Sequence, residues 1–398
     1  MTTVQLSERV QRVKPSATIA VSSLAREMRA AGRNVLSLSA GEPDFDTPEH
    51  VCAAAVQAME SGDTRYTAAD GTPALKQAIC NKFERDNRLD FEPGQISVGA
   101  GAKQVLYNIC AAVLNPGDEA IVLAPYWVSY PDIVKLCDGQ PVVVSAGLEA
   151  GYKVTPEQIE QAITERTRLI FFNTPNNPTG VSYTRAELEA LGEVLAAHEQ
   201  VLAVCDDIYE HIYWGDEPWL TPAQVWTGMQ DRIVTINGVS KAFAMTGWRI
   251  GYAAANVDLV NAMRKLCSQS TSNPCSISQA AAAAALEGDQ SILATMRDAF
   301  RERYEYMYEA VNALPGMRCA PAQGAFYLFA DAREAIRAKG LDNDTQMAEL
   351  ILSEAEVALV PGAGGGGGGR RRRGRAGGGG PRAAGGAPPA GAEKHKTR

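Results

Sequence analysis

Residues 238–252 read GVSKAFAMTGWRIGY. The apolar run RIVTI (232–236) leads into them and RIGYAAA (249–255) closes them, so a Ser, a Lys and an Arg are held between two candidate strands. Further out lie QISV (95–98), EAIVLA (119–124), QPVVVS (140–145), RLIFFN (168–173) and VLAVCD (201–206). Runs this apolar on both faces predict a parallel sheet covered by helices. Helical periodicity in AKQVLYNICAAVL, RAELEALGEVLAAHE and SQAAAAAALEG supplies the cover. The fold class is therefore α/β, a large domain with a mostly parallel sheet flanked by helices. From 296 the pattern changes to a long charged helix, MRDAFRERYEYMYEAVNAL, followed by GAFYLFA and AELILSEAEVALVPG. The expected division is 46–295 as the large domain and 296–362 as a smaller α+β domain joined by the segment 1–45, with 363–398 as a tail.

Composition narrows the function. The chain has 398 residues, 45% of them hydrophobic, enough for a sizeable core. No stretch approaches the ~18 apolar residues of a membrane span, and the polar opening lacks a signal-peptide core. A cytoplasmic protein with no membrane partner is expected. The eight cysteines form no CxxC pair and the four histidines no HExxH, so reduced thiols and no metal are expected. Residues 363–398 carry nine Lys and Arg and one Glu, a charge of +8, which leaves −16 on residues 1–362. An acidic body argues against nucleic acid as its partner. The tail holds 14 of the 37 glycines and no large apolar residue, and disorder is expected there.

Five elements bear chemistry. Lys241 follows a strand by a tight turn, where ligands bind in a parallel sheet, with Ser240 and Arg249 as groups suited to a phosphate. A lone loop Lys is also an ordinary solvated charge; as a covalent catalyst it would form a Schiff base. CDDIYEH (205–211) puts a carboxylate, Asp206, at a strand end and a phenol, Tyr209, three residues on; a helix cap is the plainer reading of Asp206. NTPNNPTG (173–180) dictates a rigid turn that can present Asn177, with a cis X-Pro bond possible in principle. GAGAKQ (99–104) opens a helix through Gly101, Ala102 and Lys103, whose N–H groups favour phosphate, although the dinucleotide fingerprint is incomplete. Trp127, in APYWVSY, could stack on a planar ring or pack in the core. Together these are the parts that hold pyridoxal phosphate.

The sequence resembles the aspartate aminotransferase family of pyridoxal-phosphate enzymes, fold type I, and within it the bacterial aspartate and prephenate aminotransferases. The likeness runs over residues 10–362 through SLSAGEPDFDTP, RYTAADGTPALKQAI, PGDEAIVLAPYWVSYP, TPNNPTG, CDDIYEH, SKAFAMTGWRIGY, GAFYLF and VALVPG. It implies that Lys241 carries the cofactor as a Schiff base and acts as general base, and that Asp206 pairs with the ring nitrogen. It implies Tyr209 and Asn177 on the ring oxygen, Ser240, Arg249 and the Gly101–Lys103 turn on the phosphate, and Trp127 stacked on the ring. Tyr66 would reach the phosphate of a neighbouring subunit in a homodimer. Gly41, with Trp127 and Asn177, would line the substrate pocket. The implied activity is ping-pong transfer of an amino group from an L-amino acid, aspartate or glutamate, to a 2-oxo acid. Lys14 and Thr18, in KPSAT, match the subgroup that includes prephenate users.

After VPG the resemblance stops. Family members continue with an apolar strand carrying an Arg for the substrate carboxylate, whereas here the text becomes AGGGGGGRRRRGRAGGGG, as a reading-frame shift would produce. Arg372 lies near the expected distance but lacks the strand and is given no role. The alternative expectation is a protein that binds the cofactor yet is deficient in transamination.

Overall fold

The computed structural model describes residues 4–13 and 17–366, the side chains of 17–20 and 22 excepted. Lys14 and Arg372 lie outside the described residues, as does the side chain of Thr18 and all of the tail beyond 366. The described elements belong to one compact unit, Met1–Gly367. The strands are β1 (Leu36–Ser37), β2 (Ile96–Gly99), β3 (Glu119–Ala124), β4 (Gln140–Ser145), β5 (Thr167–Asn173), β6 (Leu202–Asp206), β7 (Ile233–Gly238), β8 (Gly251–Ala254), β9 (Arg318–Cys319), β10 (Ala330–Asp331) and β11 (Val357–Ala358).

Strands β2 to β8 form one seven-stranded sheet in the order β2-β8-β7-β6-β5-β3-β4. Each of the seven apolar runs is a strand of it. The sheet departs from all-parallel at β8, which runs antiparallel to both β2 and β7. The reason lies in the connection: residues 239–250 fold at the strand ends instead of covering a face, so the chain returns in the opposite direction. That return is the GVSKAFAMTGWRIGY stretch.

Alternation along the strands sorts the two faces. Val204, Val234 and Ile236 pack with Phe171 and Tyr130 under the helices Ala102–Val113 and Val257–Ser270. Ala203, Cys205 and Ile233 pack on the other face with Leu188, Leu191 and Leu195 of the helix Arg185–Ala196. Asp206, two residues beyond Val204, therefore emerges on the Tyr130 face.

Outside this sheet, β1 pairs parallel with β11, and Ala25 and Val35 pack on Leu352 and Ala358. Strands β9 and β10 form a separate antiparallel pair. The first residues of the glycine-rich segment are ordered: Gly362–Gly365 form a 3-10 turn, and the Tyr126 N–H donates to the Gly365 carbonyl at 2.9 Å. Gly365 is buried, and a side chain there would press on the Tyr126 carbonyl at 2.8 Å. Residues 363–366 thus pack against the sheet region although their composition suggests disorder, because missing side chains allow close backbone approach.

Candidate active site

The carboxyl ends of β5, β6 and β7 are adjacent in the sheet, and each delivers polar groups to one place. Asn173 ends β5; its Nδ2 donates to the Asp206 carbonyl at 2.7 Å and its Oδ1 accepts from the Asn177 N–H at 2.7 Å. The rigid turn that follows contains two cis X-Pro bonds, Thr174–Pro175 and Asn177–Pro178. Asp206 ends β6, where the Tyr130 hydroxyl donates to its Oδ2 at 2.7 Å. Burial drives the Asp206 pKa up to about 6, with the Tyr130 hydrogen bond and, more weakly, Lys241 opposing it.

Lys241 lies in the short helix Val239–Ala242 after β7. Its ammonium donates to the Gly41 carbonyl and sits 5.4 Å from the Phe326 ring centre. Burial pulls its pKa down to about 8, helped by the charge of Arg249 and opposed by Glu42 and Asp206. The amine is therefore partly neutral near neutrality, the condition for nucleophilic and general-base chemistry. Ser240 beside it is buried.

Gly101 has φ of 86° and precedes the helix Ala102–Val113. A β-carbon there would collide with the Arg249 guanidinium, and one at Gly251 would collide with the Ala102 amide. Glycine at both positions lets Arg249 lie against the open helix start. Arg249 itself adopts a left-handed φ of 58° and donates to the Thr246 carbonyl at 2.8 Å. Lys103, in the first helical turn, has its pKa lowered by burial and by Arg249, and lies 4.7 Å from the centre of the Trp127 ring. Trp127 meets Tyr130 edge-on at 5.5 Å, so the ring neighbours the phenol that holds Asp206.

A third cluster joins Asn177, Tyr209 and Tyr327. The Tyr209 and Tyr327 hydroxyls are 2.5 Å apart, and Asn177 Nδ2 donates to both, at 3.4 and 3.2 Å. Gly41 lies alongside, a β-carbon on it falling 3.5 Å from the Tyr327 hydroxyl. Tyr66 is apart from this assembly, with 89% of its surface exposed. Sequence reasoning assigned no role to Tyr130, Phe326 or Tyr327. The available signals were the aromatic at three residues from Trp127 and the aromatic pair inside GAFYLFA.

Residues 33–375 match the family model for class I and II aminotransferases. The chain belongs to this family. It is 55% identical over 363 residues to the aspartate/prephenate aminotransferase of Cereibacter sphaeroides, covering 90% of this chain and 91% of that one. It is 48% identical to the aspartate aminotransferase of Geobacillus stearothermophilus, covering 91% and 92%. The crystal structure of the Rhizobium meliloti aspartate aminotransferase superposes with a TM-score of 0.87 at 44% identity over 92% of each chain. The Thermus thermophilus aspartate aminotransferase with maleate gives 0.86 at 42% identity, covering 92% and 93%. The aminotransferase is thus a fold type I, pyridoxal-phosphate-dependent enzyme acting on amino acids and 2-oxo acids. These likenesses give the transamination-deficient alternative no support. Among the described residues, no helix is long and apolar enough to cross a membrane.

The site fits that cofactor. A buried carboxylate, a partly neutral amine and a guanidinium pressed against an open helix start match the ring nitrogen, aldehyde and phosphate of pyridoxal phosphate.

Proposed function

We propose that this aminotransferase takes the amino group of L-aspartate, as the names of its relatives suggest, or of L-glutamate, and passes it to a 2-oxo acid in the return half-reaction. The observation that carries the reading is a lysine just past the end of β7, beside the strand that ends in Asp206, its amine on the Gly41 carbonyl and burial lowering its pKa. Lys241 is the covalent attachment point. Asp206 holds the proton on the ring nitrogen, while Tyr209 and Asn177 hold the ring oxygen. Ser240, Arg249 and the N–H groups of Gly101, Ala102 and Lys103 hold the phosphate, and Trp127 covers the ring. Gly41, Trp127 and Asn177 border the substrate. The cofactor supplies an electron sink for the pair left when Cα loses its proton. Lys241 would take that proton as general base and return it as general acid. The carboxylate of Asp206 keeps positive charge favourable on the side of the ring where electrons accumulate.

Exposed Tyr66 supports a homodimer in which its hydroxyl completes the phosphate site of the partner subunit. The pairing of the N-terminal strand with β11 supports 1–45 and 296–362 as a small domain beside the large one, 46–295. A cytoplasmic location is part of the same reading.

Adding L-aspartate to the pyridoxal-phosphate-loaded protein should bleach the visible band and release one equivalent of oxaloacetate, with 2-oxoglutarate restoring the colour. A band unmoved by both L-aspartate and L-glutamate would overturn the proposal.

A further inference from the structure

Tyr327 is the one member of the Asn177–Tyr209–Tyr327 cluster that comes from the chain beyond residue 296. Its backbone lies between β9 and β10, and its neighbour Phe326 stacks on Phe300 with ring centres 5.0 Å apart. Phe326 and Tyr327 together bring this outer region onto the site, Phe326 against the Lys241 amine and Tyr327 against Asn177, Tyr209 and Gly41. Both phenols have their pKa raised, burial being the largest cause, so both stay protonated and each hydroxyl has one proton to give.

Three polar tips share few protons, and their number restricts the pattern. Asn177 Nδ2 can donate twice, whereas each phenol donates once and accepts. If Tyr209 gave its proton to Tyr327, it would have none for a ligand. If Tyr327 gives its proton to Tyr209, the Tyr209 proton is free and its oxygen is polarised, which makes it the stronger donor.

We propose that Tyr327 is a positioning residue of the transamination reaction: its hydroxyl donates to Tyr209 and so points the Tyr209 proton at the oxygen of the bound cofactor ring. The inference rests on the functional reading above. It makes the region beyond 296 a direct contributor to the electronic setting of the cofactor.

The test is Tyr327→Phe, which removes one oxygen and keeps the ring that packs on Phe326. In the cofactor-loaded protein, loss of a donor to Tyr209 weakens stabilisation of a negative ring oxygen. The midpoint of the pH-dependent colour change should therefore move to higher pH, and cofactor affinity should fall about threefold to tenfold. In the Tyr209→Phe background, adding Tyr327→Phe should move neither quantity further, because the effect passes through the Tyr209 hydroxyl. Equal shifts in both backgrounds, or a lowered Tm with an unmoved midpoint, would reduce Tyr327 to a packing role and overturn the proposal. A wild-type protein that fails to develop a coloured form, or whose colour borohydride does not convert to a stable adduct at Lys241, would sink the functional reading itself, and the two failures are distinguished by that control.

Discussion

Two buried carboxylates four residues apart, Asp206 beside Tyr130 and Glu210 beside Lys82, end with pKa shifts of opposite sign. Burial is the largest influence on each and pushes each pKa upward. Asp206 ends at about 6, since its principal compensation is one phenol. Glu210 is held well below the usual carboxylate range by Lys82 and His211. Its Oε2 accepts from Asn87 at 2.8 Å and its Oε1 from Asn237 at 2.7 Å, while Lys82 makes a direct ion pair. Asp86, Glu210 and His211 are close enough to suggest a metal site, but the Lys82 ammonium lies among them, with Asp86 at 3.9 Å. The lesson is that partners, more than depth, decide what a buried charge is for. Glu210 is neutralised within the chain and serves structure. Asp206 makes no ion pair among the described residues, which is what the proposed pairing with a protonated ring nitrogen requires.

The contrast can be broken from the structural side first. Lys82→Met strands Glu210 without its cation and should lower unfolding stability by about 3–5 kcal/mol in urea titration. A loss under about 1 kcal/mol would mean that Glu210 is satisfied by its amide neighbours alone.

On the site side, Asp206→Asn keeps the shape and removes the charge. Transamination should fall by about 100-fold to 1,000-fold in kcat while covalent cofactor loading at Lys241 persists. The same variant tests the pH argument in cofactor-free protein. A folded pKa near 6, above the unfolded value of about 3.9, means that the folded state holds the proton longer, so stability falls as pH rises from about 4 to 6. Asp206→Asn should flatten that decline, and a carboxyl stretch titrating near pH 6 should vanish from the infrared spectrum. Glu210 works with the opposite sign: its contribution is present above the unfolded pKa and is lost as pH falls through its depressed folded value.

The smallest expected change comes from Tyr130→Phe, which removes the hydroxyl that bonds Asp206. A hydrogen bond to a charged group is worth about 1.5–3 kcal/mol, so the Asp206 midpoint should rise by roughly one to two pH units. An unmoved midpoint would show that solvent or the backbone supplies the compensation.

Much of this was legible in the residues. Seven strands announced themselves as apolar runs, because a strand buried on both faces has little choice of side chain. Lys241, Asp206 and Asn177 stood out by position, each just past such a run. The direction of β8 was not legible, since it depends on how residues 239–250 fold over the strand ends. Tyr327 and the Lys82–Glu210 pair were not legible either. Tyr327 meets Tyr209 across 118 residues of chain, and nothing local in GAFYLFA says which partner its hydroxyl finds. The turn Gly362–Gly365 misled in another way: glycine content argues for disorder by counting lost side-chain burial, but says nothing of a backbone that fits against Tyr126.

The most direct test of the central claim is chemical. The protein, loaded with pyridoxal phosphate, is reduced with borohydride, digested and mapped by mass spectrometry, with and without prior addition of L-aspartate. The account predicts one modified peptide, carrying the cofactor on Lys241, and its disappearance when L-aspartate is added before the reductant. A cofactor found on any other lysine, or a Lys241 label indifferent to L-aspartate, would contradict it.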